Sequence, residues 1–119
     1  METEVRILKY HPKYKADFIR LNYEWLNAYF EIEPYDRQVL EDCENHILAK
    51  GGHIFFALYN GQVVGTFAYL KHEEGVYELS KMAVEKSLRG QGLGNQLMAF
   101  SIRFAEQHHW KKLLLYSNR

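Results

Sequence analysis

Between His53 and Val84 the apolar residues stop recurring at three-and-four spacing. They run instead in three short blocks, 54–59, 63–70 and 76–84, with the turn pair Asn60-Gly61 and Gln62 between the first two. Blocks of six to nine apolar and β-branched residues bounded by turn signals read as strands, and Asn-Gly between two of them is a strong hairpin signal. A polar turn at 72–75 then returns the chain antiparallel into the third block. On either side the period is helical. Tyr14, Phe18, Leu21, Trp25 and Ala28 follow a short strand at 5–10, and Pro34 breaks that helix. A second helix is expected from about 36 to 50, with Val39, Cys43 and Ile47 on one face and Gly51-Gly52 as its stop. Leu93, Leu97, Phe100 and Phe104 mark a third, from about 92 to 108, which leads into a buried strand at 112–116. The order is β-α-α-β-β-β-α-β, a mixed α/β (α+β) sheet with an antiparallel half and a parallel junction made by the last helix.

The chain has 119 residues with no repeat, low-complexity tract or linker, so one domain over 1–119 is expected. Fifteen Lys and Arg balance fifteen Asp and Glu, which gives nucleic acid and anionic lipid no net attraction. No run approaches a membrane span, and the Met1-Glu2-Thr3-Glu4 start lacks the build of a secretory signal, so a cytoplasmic location is expected. Cys43 is the single cysteine and reads as a buried thiol. No metal site is expected: His108-His109 has no ligand partner at metal spacing, and its place at a helix C-terminus suits the helix dipole.

Gly90, Gly92 and Gly94 alternate between the third strand block and a helix start. Backbone amides at a helix N-terminus are unpaired and positively polarised, and without Cβ atoms the chain can approach an anion closely. A pyrophosphate fits such a turn; a merely flexible connection is the alternative. Gly94 is followed by Asn95 and Gln96, not by Lys-Ser/Thr, which excludes the nucleoside triphosphate loop, and the third glycine falls one place early for the dinucleotide fingerprint.

Arg89-Gly90-Gln91-Gly92-Leu93-Gly94 resembles the Arg/Gln-x-x-Gly-x-Gly/Ala signature of the Gcn5-related N-acetyltransferases (GNAT), and residues 79–88 look like the strand that precedes it there. The resemblance implies an acetyl-CoA-dependent N-acetyltransferase acting on an unidentified primary amine by direct attack in a ternary complex, with no acyl-enzyme. It implies that amides of Arg89, Gly90, Gln91, Gly92, Leu93, Gly94 and Asn95 hold the pyrophosphate, that the main chain of Met82, Ala83 and Val84 lies beside pantetheine, and that Asn118 sits near the cofactor. The Arg89 side chain either adds charge to the phosphates or caps the turn. Glu78 stands at the spacing from Arg89 where some relatives carry a catalytic glutamate. It alternates with Ser80 and Met82 toward one face; an exposed or cross-strand-paired glutamate is the alternative. Tyr29, Phe30, Glu31, Glu33 and Asp36 fall where the family shapes its acceptor pocket. The sequence stops at Ser117-Asn118-Arg119, whereas relatives continue through a helix, which usually carries a tyrosine acid, and two strands. This departure leaves two alternatives: an acyl-CoA-binding module without turnover, or a fragment whose open edge is covered by a second copy or a partner chain.

Overall fold

The computed structural model describes residues 5–115. The observed order is β1 (Arg6–Lys9), α1 (Lys15–Tyr29), α2 (Pro34–Glu41), β2 (His53–Tyr59), β3 (Gln62–Glu73), β4 (Val76–Val84), α3 (Leu93–Gln107) and β5 (Lys112–Leu115). The strands form one sheet in the order β1-β2-β3-β4-β5. Pairing is antiparallel from β1 to β4 and parallel between β4 and β5, as expected of a helix returning the chain to the same sheet.

Strand alternation divides the core. Ile54 and Phe56 of β2 pack on the α1 and α2 side with Phe18, Leu21, Val39, Leu40, Cys43 and Ile47. Phe55 and Ala57 point the other way, toward Leu93, Leu97 and Phe104 of α3. Successive side chains of a strand face opposite sides, so β2 and β3 serve two cores and read as nearly continuous apolar runs.

The second helix departs from the continuous element expected over 36–50. Val39, Cys43 and Ile47 are four residues apart, while an α-helix turns every 3.6, so each step drifts about 40° around the axis. The chain absorbs this drift by ending α2 at Glu41 and opening a wider turn over Glu44–Leu48, where the Ala49 N–H reaches Glu44 O at 2.7 Å. All three side chains thereby stay buried. Burial pushes the Cys43 thiol pKa up, as befits an inert core thiol. Pro34 opens α2 instead of merely ending α1.

Asn60 and Gly61 take φ of 53° and 77°, the left-handed pair that a two-residue hairpin turn needs. β3 runs on through His72 and Glu73, so the polar turn shrinks to Glu74-Gly75. Two irregularities interrupt the β3–β4 ladder. Between the pairs Lys71↔Tyr77 and Glu73↔Val76, His72 is an extra residue on β3. Between Thr66↔Ala83 and Ala68↔Ser80, β4 carries one residue more than β3.

Candidate functional site

β4 positions the site, and its second irregularity decides which way the side chains face. Leu79 packs toward α3; so does Met82, three residues on, while Ala83 packs toward α1 and α2. Regular alternation would separate same-face residues by two, so Lys81 is the inserted residue, and its φ of 55° is unusual for a side chain of that size. Holding a non-glycine residue there costs about 1–2 kcal/mol. The expected face of Glu78, Ser80 and Met82 is therefore broken: Met82 turns to the α3 side because the extra residue resets the alternation. Main-chain pairing changes at the same place. β5 pairs β4 only from Val76 to Leu79, so on that side Lys81–Val84 has no strand partner among the described residues.

A cavity of about 570 Å³ opens where β4 loses its neighbour. Asn22, Trp25, Leu26 and Phe30 wall it from α1 and the residue after it, and Asp36 from α2. Glu78 to Met82 form its floor, and Met98 and Leu115 close it from α3 and β5. Of the residues expected near an acceptor, Phe30 and Asp36 reach it; Tyr29 is 56% exposed and packs on Trp25 in a tilted arrangement at 4.6 Å between ring centroids. Glu78 lies in the floor with 19% of its side chain exposed, and its Oε1 is 2.8 Å from Nε2 of His72. The β3 irregularity at His72 brings that ring alongside Glu78, a partner no sequence period announces. A more open hollow of about 750 Å³ lies between the start of α1 and the Asn60-Gly61 turn. Its Arg20 is already paired with Asp17, Glu24 and Glu85, so that guanidinium is satisfied without a ligand.

Beyond Val84 the chain makes a short 3-10 turn over Lys86–Leu88 and enters the glycine segment. The Arg89 N–H is engaged by Lys86 O at 3.3 Å, and the first bond of α3 runs from Gln96 N–H to Gly92 O at 3.0 Å. Between them, the amides of Gly90, Gln91, Gly92, Leu93, Gly94 and Asn95 find no acceptor among the described residues. Gly90 and Gly92 hold φ of 81° and 85°, conformations a side chain would strain. A Cβ at Gly90, Gly92 or Gly94 would meet nothing within 4 Å, so the segment is uncrowded on the side a side chain would take. Among the described residues no side chain caps α3, whose dipole adds positive potential at its N-terminus. Six unpaired donors on this uncrowded segment fit an anionic group of pyrophosphate size.

The Arg89 side chain is engaged within the chain. Its Nε donates to Val84 O at 3.1 Å, and the guanidinium lies 5.1 Å from the Trp25 ring centroid and 5.7 Å from that of Tyr29. It ties the turn to α1 and to the end of β4. Gln91 Nε2 bonds back to Ser87 O at 3.2 Å, steadying the same segment. Asn118 lies outside the described residues, as does Tyr116.

A family model described as Acetyltransferase (GNAT) family matches residues 19–119. The chain belongs to the GNAT acetyltransferase family. A GNAT acetyltransferase from Staphylococcus aureus Mu50 superposes with a TM-score of 0.81 at 24% identity, covering 96% of this chain and 73% of that one. Another, from Brucella melitensis and solved in complex with acetyl-CoA, gives 0.78 at 18% identity and covers 99% and 79%. At such identities these likenesses speak for the fold, and they bear out the mixed, mostly antiparallel GNAT sheet read from the sequence. Among curated proteins, N-acetylaspartate synthetase from Xenopus tropicalis is 32% identical over 81 residues, 66% of this chain and 30% of that protein. Human N-acetylaspartate synthetase is 32% identical over 78 residues, 64% of this chain and 26% of that protein. This GNAT chain thus spans under a third of either relative's length. No helix among the described residues is long and apolar enough to cross a membrane.

Proposed function

We propose that this chain transfers the acetyl group of acetyl-CoA to a primary amine by direct attack, with both substrates bound together. The observation that carries the reading is the alignment of two features along one strand. The cavity sits on Glu78–Met82, and the row of six unpartnered amides follows the end of the same strand. Acetyl-CoA would supply an activated acyl carbon and a thiol leaving group. Gly90, Gln91, Gly92, Leu93, Gly94 and Asn95 would hold its pyrophosphate through N–H groups, and the free side of Met82, Ala83 and Val84 would offer donors and acceptors to the amides of its arm. A β4 amide in this stretch is also the natural donor to the thioester oxygen, because it is fixed before the reaction begins.

The amine must lose a proton to attack, and Glu78 is the group we assign to take it. Its carboxylate lies in the cavity floor, held by His72. As the C–N bond forms and the C–S bond breaks, the nitrogen's proton passes to Glu78 and on toward His72, whose side chain is 44% exposed to solvent. The leaving sulfur takes a proton from water. Cys43 takes no part, since it is fully buried in the core on the α1 and α2 side. The curated relatives' name, N-acetylaspartate synthetase, supports an amine acceptor in general. The test is calorimetric titration with acetyl-CoA followed by a screen of primary amines. Saturable binding with amine-dependent release of free thiol is expected; a folded chain that does not bind overturns the reading. Binding without turnover of any amine would leave an acyl-CoA-binding module.

A further inference from the structure

The polar groups of the 570 Å³ cavity are unequally matched. Among the described residues Lys81 is its only cation. The strand spends an inserted residue and a left-handed backbone to place this side chain, which keeps only 18% of its surface exposed. Its ammonium has no hydrogen bond among the described residues. The nearest carboxylate oxygen, Oδ1 of Asp36, is 3.9 Å away, and the other oxygen of that carboxylate already accepts the Glu33 N–H at 3.0 Å. An ammonium on a side chain with so little exposure, paired only at 3.9 Å, is placed to take a further anion.

The opposite need exists on the α1 wall. Asn22 is only 3% exposed, and its Nδ2 donates to Phe18 O at 2.9 Å, which fixes the carboxamide because a carbonyl can only accept. Its Oδ1 has no partner among the described residues, yet no buried side-chain polar atom among them is sealed off without one, so this oxygen opens to the cavity. Asn22 and Glu78 thus present acceptors to a nitrogen, while Lys81 presents a donor to an anion.

We propose that the acceptor is an amine that carries its own carboxylate, of amino-acid type, with Lys81 as the residue that selects for that carboxylate and Asn22 and Glu78 facing the nitrogen. This rests on the acetyltransferase reading and adds a substrate class to it. A zwitterion meets all three groups at once, whereas a plain amine leaves the ammonium of Lys81 unmatched.

The test uses three matched pairs of acceptors, each an amino acid and the amine left when its carboxylates are removed: L-aspartate and ethylamine, L-phenylalanine and phenethylamine, L-lysine and cadaverine. Each is ranked by kcat/KM with acetyl-CoA and by the melting shift it gives the chain in saturating coenzyme A. In every pair that is used, the carboxylate-bearing member should lead by at least tenfold, mainly through KM. Lys81→Met should abolish the preference, Lys81→Arg should keep it, and acetyl-CoA affinity should hold in both. Should Lys81→Met fold poorly, Lys81→Asn gives the same readout, since asparagine accepts positive φ more readily. Equal use of the carboxylate-free amines, or a preference that survives loss of the charge, overturns the role of Lys81 and leaves amine acetylation standing. Turnover of none of the six overturns both.

Discussion

Replacing Gly92 by glutamate tests whether the amide row binds an anion, and the structure allows the effect to be divided in advance. At φ 85° an L-residue costs about 1–2 kcal/mol of backbone strain. Because a Cβ at Gly92 meets no atom within 4 Å, no packing penalty adds to it. For a domain of 119 residues that loss lowers the melting temperature by about 3–8 °C. Gly92→Ala bears the same strain without charge or length, so both variants should melt alike. They should part on binding. A carboxylate about 5 Å from one phosphate charge, at an effective dielectric near 20, is repelled by about 3 kcal/mol. That is a loss of about a hundredfold in acetyl-CoA affinity, beyond whatever Gly92→Ala shows. Calorimetric titration of the three proteins in one buffer reads it directly, and raised salt should narrow the gap. If Gly92→Glu binds acetyl-CoA as tightly as Gly92→Ala, the anion does not sit on these amides.

Glu78→Gln should lower kcat/KM for the amine by about 10²–10⁴ while acetyl-CoA affinity stays put; an unchanged rate and pH profile would remove Glu78 as the base. Arg89→Lys should lose the Nε bond to Val84 O and the planar contact with Trp25 and Tyr29, destabilising the fold by about 1–2 kcal/mol in chemical denaturation, and no change would show the strut to be idle. His53 lies among the rings of Tyr69, Tyr77, Phe104 and Trp110, and burial, followed by the nearby charges of Lys9, His108 and Lys71, lowers its pKa. The unfolded chain therefore binds the proton first, so stability is complete above about pH 6.5 and falls as pH drops below that toward the depressed folded value. Urea midpoints measured across that range should show the decline in the wild type and a flatter line for His53→Phe; parallel lines would place the pH sensitivity elsewhere.

The elements legible in the sequence are those whose signal is local. Asn60-Gly61 announces its turn because few residue pairs accept two left-handed positions, and 76–84 matches β4 to the residue because its boundaries are the Gly75 turn and the chain's exit at Glu85. The glycine segment is legible for the same reason: Gly90 and Gly92 hold positive φ, and a composition rule reports a backbone fact. Periodicity fails where residues of one face compromise with geometry. Val39, Cys43 and Ile47 promise one continuous helix, yet their spacing of four is what forces the wider turn.

The site itself is where alternation misleads most, and the cause is physical. A strand with no insertion would send Lys81 toward the apolar α3 side with Leu79 and keep Ser80 and Met82 on one face. One extra residue on β4 instead carries Met82 to α3, leaves Ala83 against α1 and α2, and brings the ammonium to within 3.9 Å of Asp36. Lysine gives no hint that it occupies a left-handed position, since glycine or asparagine would suit that backbone better. Likewise nothing in the sequence around Asn22 shows that its carboxamide bonds Phe18 O and turns its oxygen to the cavity. The amide row depends on main-chain conformation that glycines encode, so it is readable in the chain. The recognition of an acceptor depends on an irregularity that an unfavoured residue holds open, and a residue in an unfavoured conformation persists only where the surrounding structure fixes it. In this fold that support comes from the β3 pairings on either side of Lys81 and the α2 start at Asp36, so substitutions at Thr66 or Ala68 should disturb acceptor choice before they disturb acetyl-CoA binding.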